Sequence, residues 1–279
     1  MRNIITPVFI LVIMLISCSK TANTTNHPTN KPIRIAFLHR SVGAILYKGN
    51  TPTILHKVFK KAQVASWFAT YNKENSSDYE LKGIYYPTKD SYGDNNYPYD
   101  YYNIWVNHAG KNPYKGQATL EILTQNYEVI MFKHCFPVGE ILPDLGTPDV
   151  NSEEKRIENY KAQYILLKAK MRSFPNTKFI LWTVPAMTRE VTTEEKAGKM
   201  KEFVDWVKNT WDEPGDNIYL WDFYALETEG GLFVKDSYAT SPKNPHPNQQ
   251  FATNVVPYFC KRILDVAEGR GDTTPITGK

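Results

Sequence analysis

The sequence predicts an α/β fold: three layers, α/β/α, around a mostly parallel five-stranded sheet. Three observations predict it. Short apolar runs recur with the continuous β-branched and aromatic character of strands buried on both faces. Amphipathic stretches with apolar residues three and four apart stand between them. The two kinds alternate, which is how helices come to cover both faces of a parallel sheet.

The strands come in order at residues 33–38, 81–85, 128–133, 178–183 and 217–222. Residues 152–173 place Ile157, Tyr160, Tyr164, Leu167 and Met171 on one helical face, with Asn151 and Glu154 suited to cap the start. A second helix opens at Thr192-Thr193-Glu194-Glu195 and runs to Trp211. The last spans 247–267, with Ala252, Val255, Phe259, Ile263 and Val266 in line and Pro247 in its first turn. Weaker helical patterns cover 51–70 and 115–124. Residues 85–105 break the alternation, crowded with Tyr, Asn, Asp and Pro. A connection this long is functional or disordered as a rule, and tyrosine this dense argues against disorder. It reads either as a substrate rim of aromatic faces and amides or as a packed loop over a sheet edge. Asp90 and Asp94 lie in it but lack the further ligands that calcium needs.

The ends separate from the fold. Residues 1–17 carry a basic start and the apolar run 4–16, which is the pattern of an export signal. That run is shorter than the roughly 20 residues a membrane span requires. Cys18 after Ser17 looks like a bacterial lipobox, implying cleavage before Cys18, lipidation of its thiol and anchoring at the cell envelope. Residues 18–31 are rich in Thr, Asn and Pro and read as a tether. Residues 32–268 form the single domain, and 269–279 a polar tail. A net charge of +4 shows no basic stripe, so no nucleic acid is expected as partner. Cys135 ends a strand and Cys260 lies mid-helix, so two separate buried thiols are expected. No Cys/His spacing fits a zinc site, and no phosphate-cradling or dinucleotide glycine loop calls for a cofactor.

The chemistry-bearing pair is Ser41 and His246. Ser41 follows the first strand in His39-Arg40-Ser41-Val42-Gly43, and His246 precedes the last helix in Asn244-Pro245-His246-Pro247-Asn248. Strand ends and helix starts of an α/β sheet share one edge, the edge where ligands bind. A serine hydroxyl becomes a nucleophile when an imidazole takes its proton. Taken singly, each residue has a plainer reading, Ser41 as a helix cap and His246 as part of a turn.

In order and spacing the chain resembles the SGNH/GDSL hydrolases, esterases and acetylesterases on a flavodoxin-like sheet. Their first block ends in Gly-Asp-Ser and their last reads Asp-x-x-His followed by Pro-Asn and a helix. The resemblance implies Ser41 as nucleophile and His246 as base. It departs from the family where His39 and Arg40 replace Gly and Asp, and where Lys243 stands in place of the orienting acid. Asp236, Asp222 or a backbone carbonyl can then hold the imidazole. For the oxyanion or the substrate the candidates are Gly110, Lys133, His134, His39 and Arg40. His39, two residues from Ser41, points to the same side on an extended strand. The expected function is Ser-His acyl transfer on a carbohydrate or other small ester, acetyl above all. The alternative is a lipoprotein on the same scaffold that has lost catalysis and holds glycan on residues 85–105.

Overall fold

The computed structural model describes residues 31–279 apart from Asp94. Residues 1–30, with the expected export signal, Cys18 and most of the tether, lie outside the described residues. Lys31–Lys279 is one compact unit.

Five strands, β1 (Ile33–His39), β2 (Tyr79–Tyr85), β3 (Val129–Phe132), β4 (Lys178–Trp182) and β5 (Ile218–Trp221), form one sheet in the order β2-β1-β3-β4-β5. Every neighbouring pair is parallel. This is the three-layer α/β arrangement that the alternation predicts. Because successive side chains point to opposite faces, the strands feed two cores. Ala36, Leu38, Ile130, Phe132, Phe179 and Leu181 pack one face, while Ile35, Phe37, Val129, Met131, Ile180 and Trp182 pack the other.

The first face is covered by α4 (Pro98–Tyr102), α6 (Ile157–Arg172) and α7 (Glu194–Trp206). The second is covered by α1 (Val42–Lys48), α3 (Gln63–Asn75) and α9 (Gln249–Ala267). Between α1 and α3 lies the short α2 (Thr53–Phe59), so the pattern over 51–70 is two helices broken after Phe59. Of the pattern over 115–124, only α5 (Leu120–Leu123) forms a helix. α6 begins five residues later than expected, capped at Arg156, and Asn151 is not its cap. α7 does begin on Thr193, whose side chain accepts from the Lys196 N–H. α8 (Phe223–Thr228) follows β5.

One part takes the second of its two expected readings and one differs from expectation, each for a clear reason. Residues 85–105 are a packed layer: Tyr86, Tyr97, Tyr101, Tyr102 and Trp105 are buried. Three of the hydroxyls donate to backbone carbonyls, Tyr86 to Ala118, Tyr97 to Glu153 and Tyr101 to Lys133; that of Tyr102 donates to the Asn151 side chain, and the Trp105 indole N–H to the Tyr86 oxygen. Burying a tyrosine ring is favourable once its hydroxyl has a partner, so the aromatic faces serve the core rather than a rim. The segment 269–279 is no free tail. The Asp222 N–H donates to the Ile276 carbonyl, the Trp221 indole N–H to Thr277, and the Arg262 guanidinium to Gly271 and Thr274. Cys135 and Cys260 are free and buried, as expected. No helix among the described residues is long and apolar enough to cross a membrane.

Candidate active site

Ser41 stands where β1 has ended and α1 begins. Its backbone is at φ 43°, ψ −108°, a left-handed conformation outside the regions open to an L-residue. Strain of this kind persists only where its surroundings impose it. A serine at an N-cap ordinarily turns its hydroxyl onto the amides of the first turn. Ser41 makes no such cap bond. Its Oγ lies 2.5 Å from His246 Nε2 instead. The turn brings α1 hard against the sheet at Gly43, where an added Cβ would meet His39 Cβ at 2.7 Å and Lys133 Cδ at 2.9 Å. Only glycine permits that approach.

His246 is delivered by a two-stranded antiparallel ribbon, β6 (Ala239–Ser241) and β7 (Asn244–Pro247). Pro247 thus belongs to the ribbon, and α9 starts two residues later at Gln249, capped by Asn248, whose side chain accepts from the Phe251 N–H. The Asn248 amide also donates to the Ser237 and Ala239 carbonyls, tying ribbon to helix. The Phe136 ring packs edge-on against the imidazole at 4.9 Å between centroids.

The group on the far side of the imidazole is Asn244. Its Oδ1 lies 2.7 Å from His246 Nδ1 and 3.2 Å from the His246 backbone N. The backbone N–H can only donate, so the amide atom facing it is the oxygen. The same oxygen therefore accepts from an Nδ1–H, which leaves the Nε2 lone pair facing the Ser41 hydroxyl. The amide carbonyl selects the tautomer that a base needs. Burial and the positive charge of Lys133 hold the His246 pKa below its ordinary value, so the ring is neutral at neutral pH.

The other residues singled out in the sequence lie elsewhere. Asp222 is buried in an ion pair with Lys208 at 2.5 Å, and it caps α8 by accepting from the Ala225 N–H. Asp236 is exposed on the segment before the ribbon. Neither is bonded to His246, because Asn244, two residues before the histidine, already occupies that side in a local turn. Gly110 keeps its contact with Thr119, at the start of α5. The Gly93 carbonyl accepts from Arg40 Nη1 at 2.8 Å. Arg40 also donates to the Tyr85 hydroxyl and lies over its ring, so its guanidinium anchors the loop.

His39 does not share Ser41's surroundings, since the turn at Arg40 ends the strand alternation. It is buried between Phe37 and Tyr47, and burial together with Lys133 pushes its pKa down to about 3. His134 is wholly buried among Tyr101, Phe132 and Tyr164, with neither ring nitrogen bonded and its pKa likewise pushed down to about 3. Lys133 is fully buried under Gly43, donating to Cys135 Sγ at 3.1 Å. None of the three is exposed to a substrate in this structure. Among the described residues, no group of three or more His, Cys, Asp or Glu is placed to hold a metal ion.

No family model and no curated protein matches this chain. Three solved structures do, at low identity. A protein of the G-D-S-L family from Desulfitobacterium hafniense DCB-2 is 11% identical over 82% of this chain and 98% of its own, with a TM-score of 0.43. A gut microbial diltiazem-metabolizing enzyme is 13% identical over 82% of this chain and 46% of its own, with a TM-score of 0.45. A carbohydrate esterase whose active site displays catalytic and non-catalytic binding functions is 13% identical over 85% of this chain and 66% of its own, with a TM-score of 0.38.

Proposed function

We propose that the chain is a serine ester hydrolase working by Ser-His-Asn acyl transfer. The observation that carries the reading is the relay Ser41 Oγ, His246 Nε2, His246 Nδ1, Asn244 Oδ1, with steps of 2.5 Å and 2.7 Å. Ser41 gives its proton to Nε2 as Oγ bonds to the acyl carbon. His246 then gives that proton to the departing alkoxide as its C–O bond breaks. A water, deprotonated by the same nitrogen, attacks the acyl-serine; the acid leaves and Ser41 recovers its proton. The Ser41 backbone N–H stands at the start of α1, where helical amides have no intrahelical acceptor, and it receives the developing oxyanion.

The substrate is an acyl group, acetyl above all, on a carbohydrate or other small ester at the cell envelope. The export pattern ending at Cys18 and the resemblance of the Ser41 and His246-Pro247-Asn248 blocks to those of esterases and acetylesterases support this class. A protein that merely held glycan would gain nothing from a strained serine turned away from its cap and onto a histidine. Its proposed aromatic platform, residues 85–105, is largely spent in the core.

The test is hydrolysis of an aryl acetate together with labelling by a fluorophosphonate. The full chain is expected to hydrolyse the ester and to be labelled on Ser41. Ser41→Ala is expected to lose at least about 10³-fold in kcat/KM with an unchanged melting temperature. An unlabelled, folded wild type, or an active Ser41→Ala, overturns the reading.

A further inference from the structure

Positive charge is concentrated at the start of this chain. The first acidic residue is Glu74, and ten lysines and arginines precede it. Four of them, Lys48, Lys57, Lys60 and Lys61, frame α2. This helix buries none of its residues. Ile54, Val58 and Phe59 are 67%, 63% and 64% exposed, a cluster of large apolar side chains turned to solvent. A short helix with nothing to pack against is not stable alone, yet this one is held in place at both ends. Lys48 Nζ donates to Thr53 Oγ1 at 3.0 Å, and the His56 ring meets the Lys61 carbonyl at 2.7 Å. Beneath it, Tyr47, His56, Lys57, Lys60 and Gly83 line an open cleft of about 400 Å³.

We infer that α2 is the face by which this domain rests on an anionic lipid surface. Ile54, Val58 and Phe59 enter the boundary between headgroups and acyl chains, and the lysines meet the lipid phosphates, one of which the cleft receives. Apolar side chains ringed by lysine with no carboxylate among them are what an interfacial helix presents. The apolar cluster argues against a nucleic acid as occupant, and the lysines argue against a second copy of the same positive face. The helix is too short to anchor the protein by itself, and a second attachment is needed for stable residence. Its effect is orientation. α1 alone connects α2 to Ser41, so docking α2 sets how the proposed nucleophile faces the surface.

The test follows backbone amide exchange in the full chain reconstituted into lipid nanodiscs, a readout independent of catalysis. In discs containing anionic phosphatidylglycerol, the amides of Thr53–Phe59 are expected to exchange at least about tenfold more slowly than in pure phosphatidylcholine discs. Raising salt to roughly 0.5 M should remove the difference. Combined Lys57→Gln, Lys60→Gln and Lys61→Gln should weaken the protection by roughly fivefold per lysine. Ile54→Ser, Val58→Ser and Phe59→Ser together should abolish it with little change in the melting temperature, since those side chains are mostly exposed. Equal exchange in the two kinds of disc overturns the inference. So does protection by inorganic phosphate alone, which would mark a free-anion site. Protection that grows with protein concentration in detergent would mark a second copy and overturns it equally.

Discussion

Asn244 does with an uncharged oxygen what related relays do with a carboxylate. It orients the imidazole and fixes its tautomer, but it adds no negative charge to steady the imidazolium. Burial and Lys133 already disfavour that charge. The base therefore takes up its proton only at a lower pH than an ordinary imidazole does. The acid limb of kcat/KM is expected to fall at a pH below the ordinary imidazole pKa, read from a pH profile of aryl acetate hydrolysis. Asn244→Asp supplies the missing charge, which favours the imidazolium and moves the acid limb upward. Asn244→Ala frees the ring to rotate and to take the other tautomer, with an expected loss of about 10²-fold or more in kcat and little change in KM. An Asp variant whose acid limb stays in place would mean that Asn244 does not govern the ring.

At the scale of elements, the site depends on how close α1 lies to the sheet. Gly43 is the point of nearest approach, with His39 Cβ and Lys133 Cδ within 3 Å of where a methyl would stand. Both belong to buried side chains, so a methyl there has nowhere to go. Gly43→Ala is expected to cost about 1–3 kcal/mol in urea unfolding. It should also slow fluorophosphonate labelling, because relief comes by lifting α1 and with it Ser41. A variant that unfolds more easily yet labels at the wild-type rate would place the strain elsewhere. The ribbon of β6 and β7 is the other positioning element. Its signal in the sequence is faint: three residues, a turn and four residues, two of them proline. The one legible mark is Asn-Pro-His, since an asparagine side chain readily accepts from the amide two residues on. That local bond is what places Asn244, and with it in place the ring takes no carboxylate from Asp222 or Asp236.

For the molecule as a whole, the last residues close the fold. The edge of β5 and the far end of α9 meet at Trp221, Asp222 and Arg262, all almost fully buried, and residues 271–277 satisfy their polar groups. Removing residues after Glu268 leaves those buried donors unpaired, at about 1–3 kcal/mol each. The truncated chain is expected to melt at least about 5 °C lower. A melting temperature within a degree of the full chain would show that these contacts contribute little.

Strands β1, β3, β4 and β5 were legible in the sequence because each is a run of mainly apolar, buried residues, and such a run depends on its own composition alone; the edge strand β2, with Glu80 and Lys82 exposed, shows only its apolar end. The pair Ser41 and His246 was legible for a related reason: a strand end and a helix start must fall on the sheet edge that topology assigns them. The roles of polar residues around that pair were not. Whether His39, Lys133 and His134 face a substrate or the core turns on where the strand stops and the backbone twists. The turn at Arg40 cancels the alternation that would have put His39 beside Ser41. The same holds for the tyrosines of 85–105 and for the polar end, whose partners are carbonyls and indoles distant in sequence. The sequence by itself determined the layers, the strand order of burial and the two residues that meet. Tertiary structure alone decided that Ser41 gives up its cap for His246. That choice rests on a 2.5 Å approach between segments some 200 residues apart, and no local pattern encodes it.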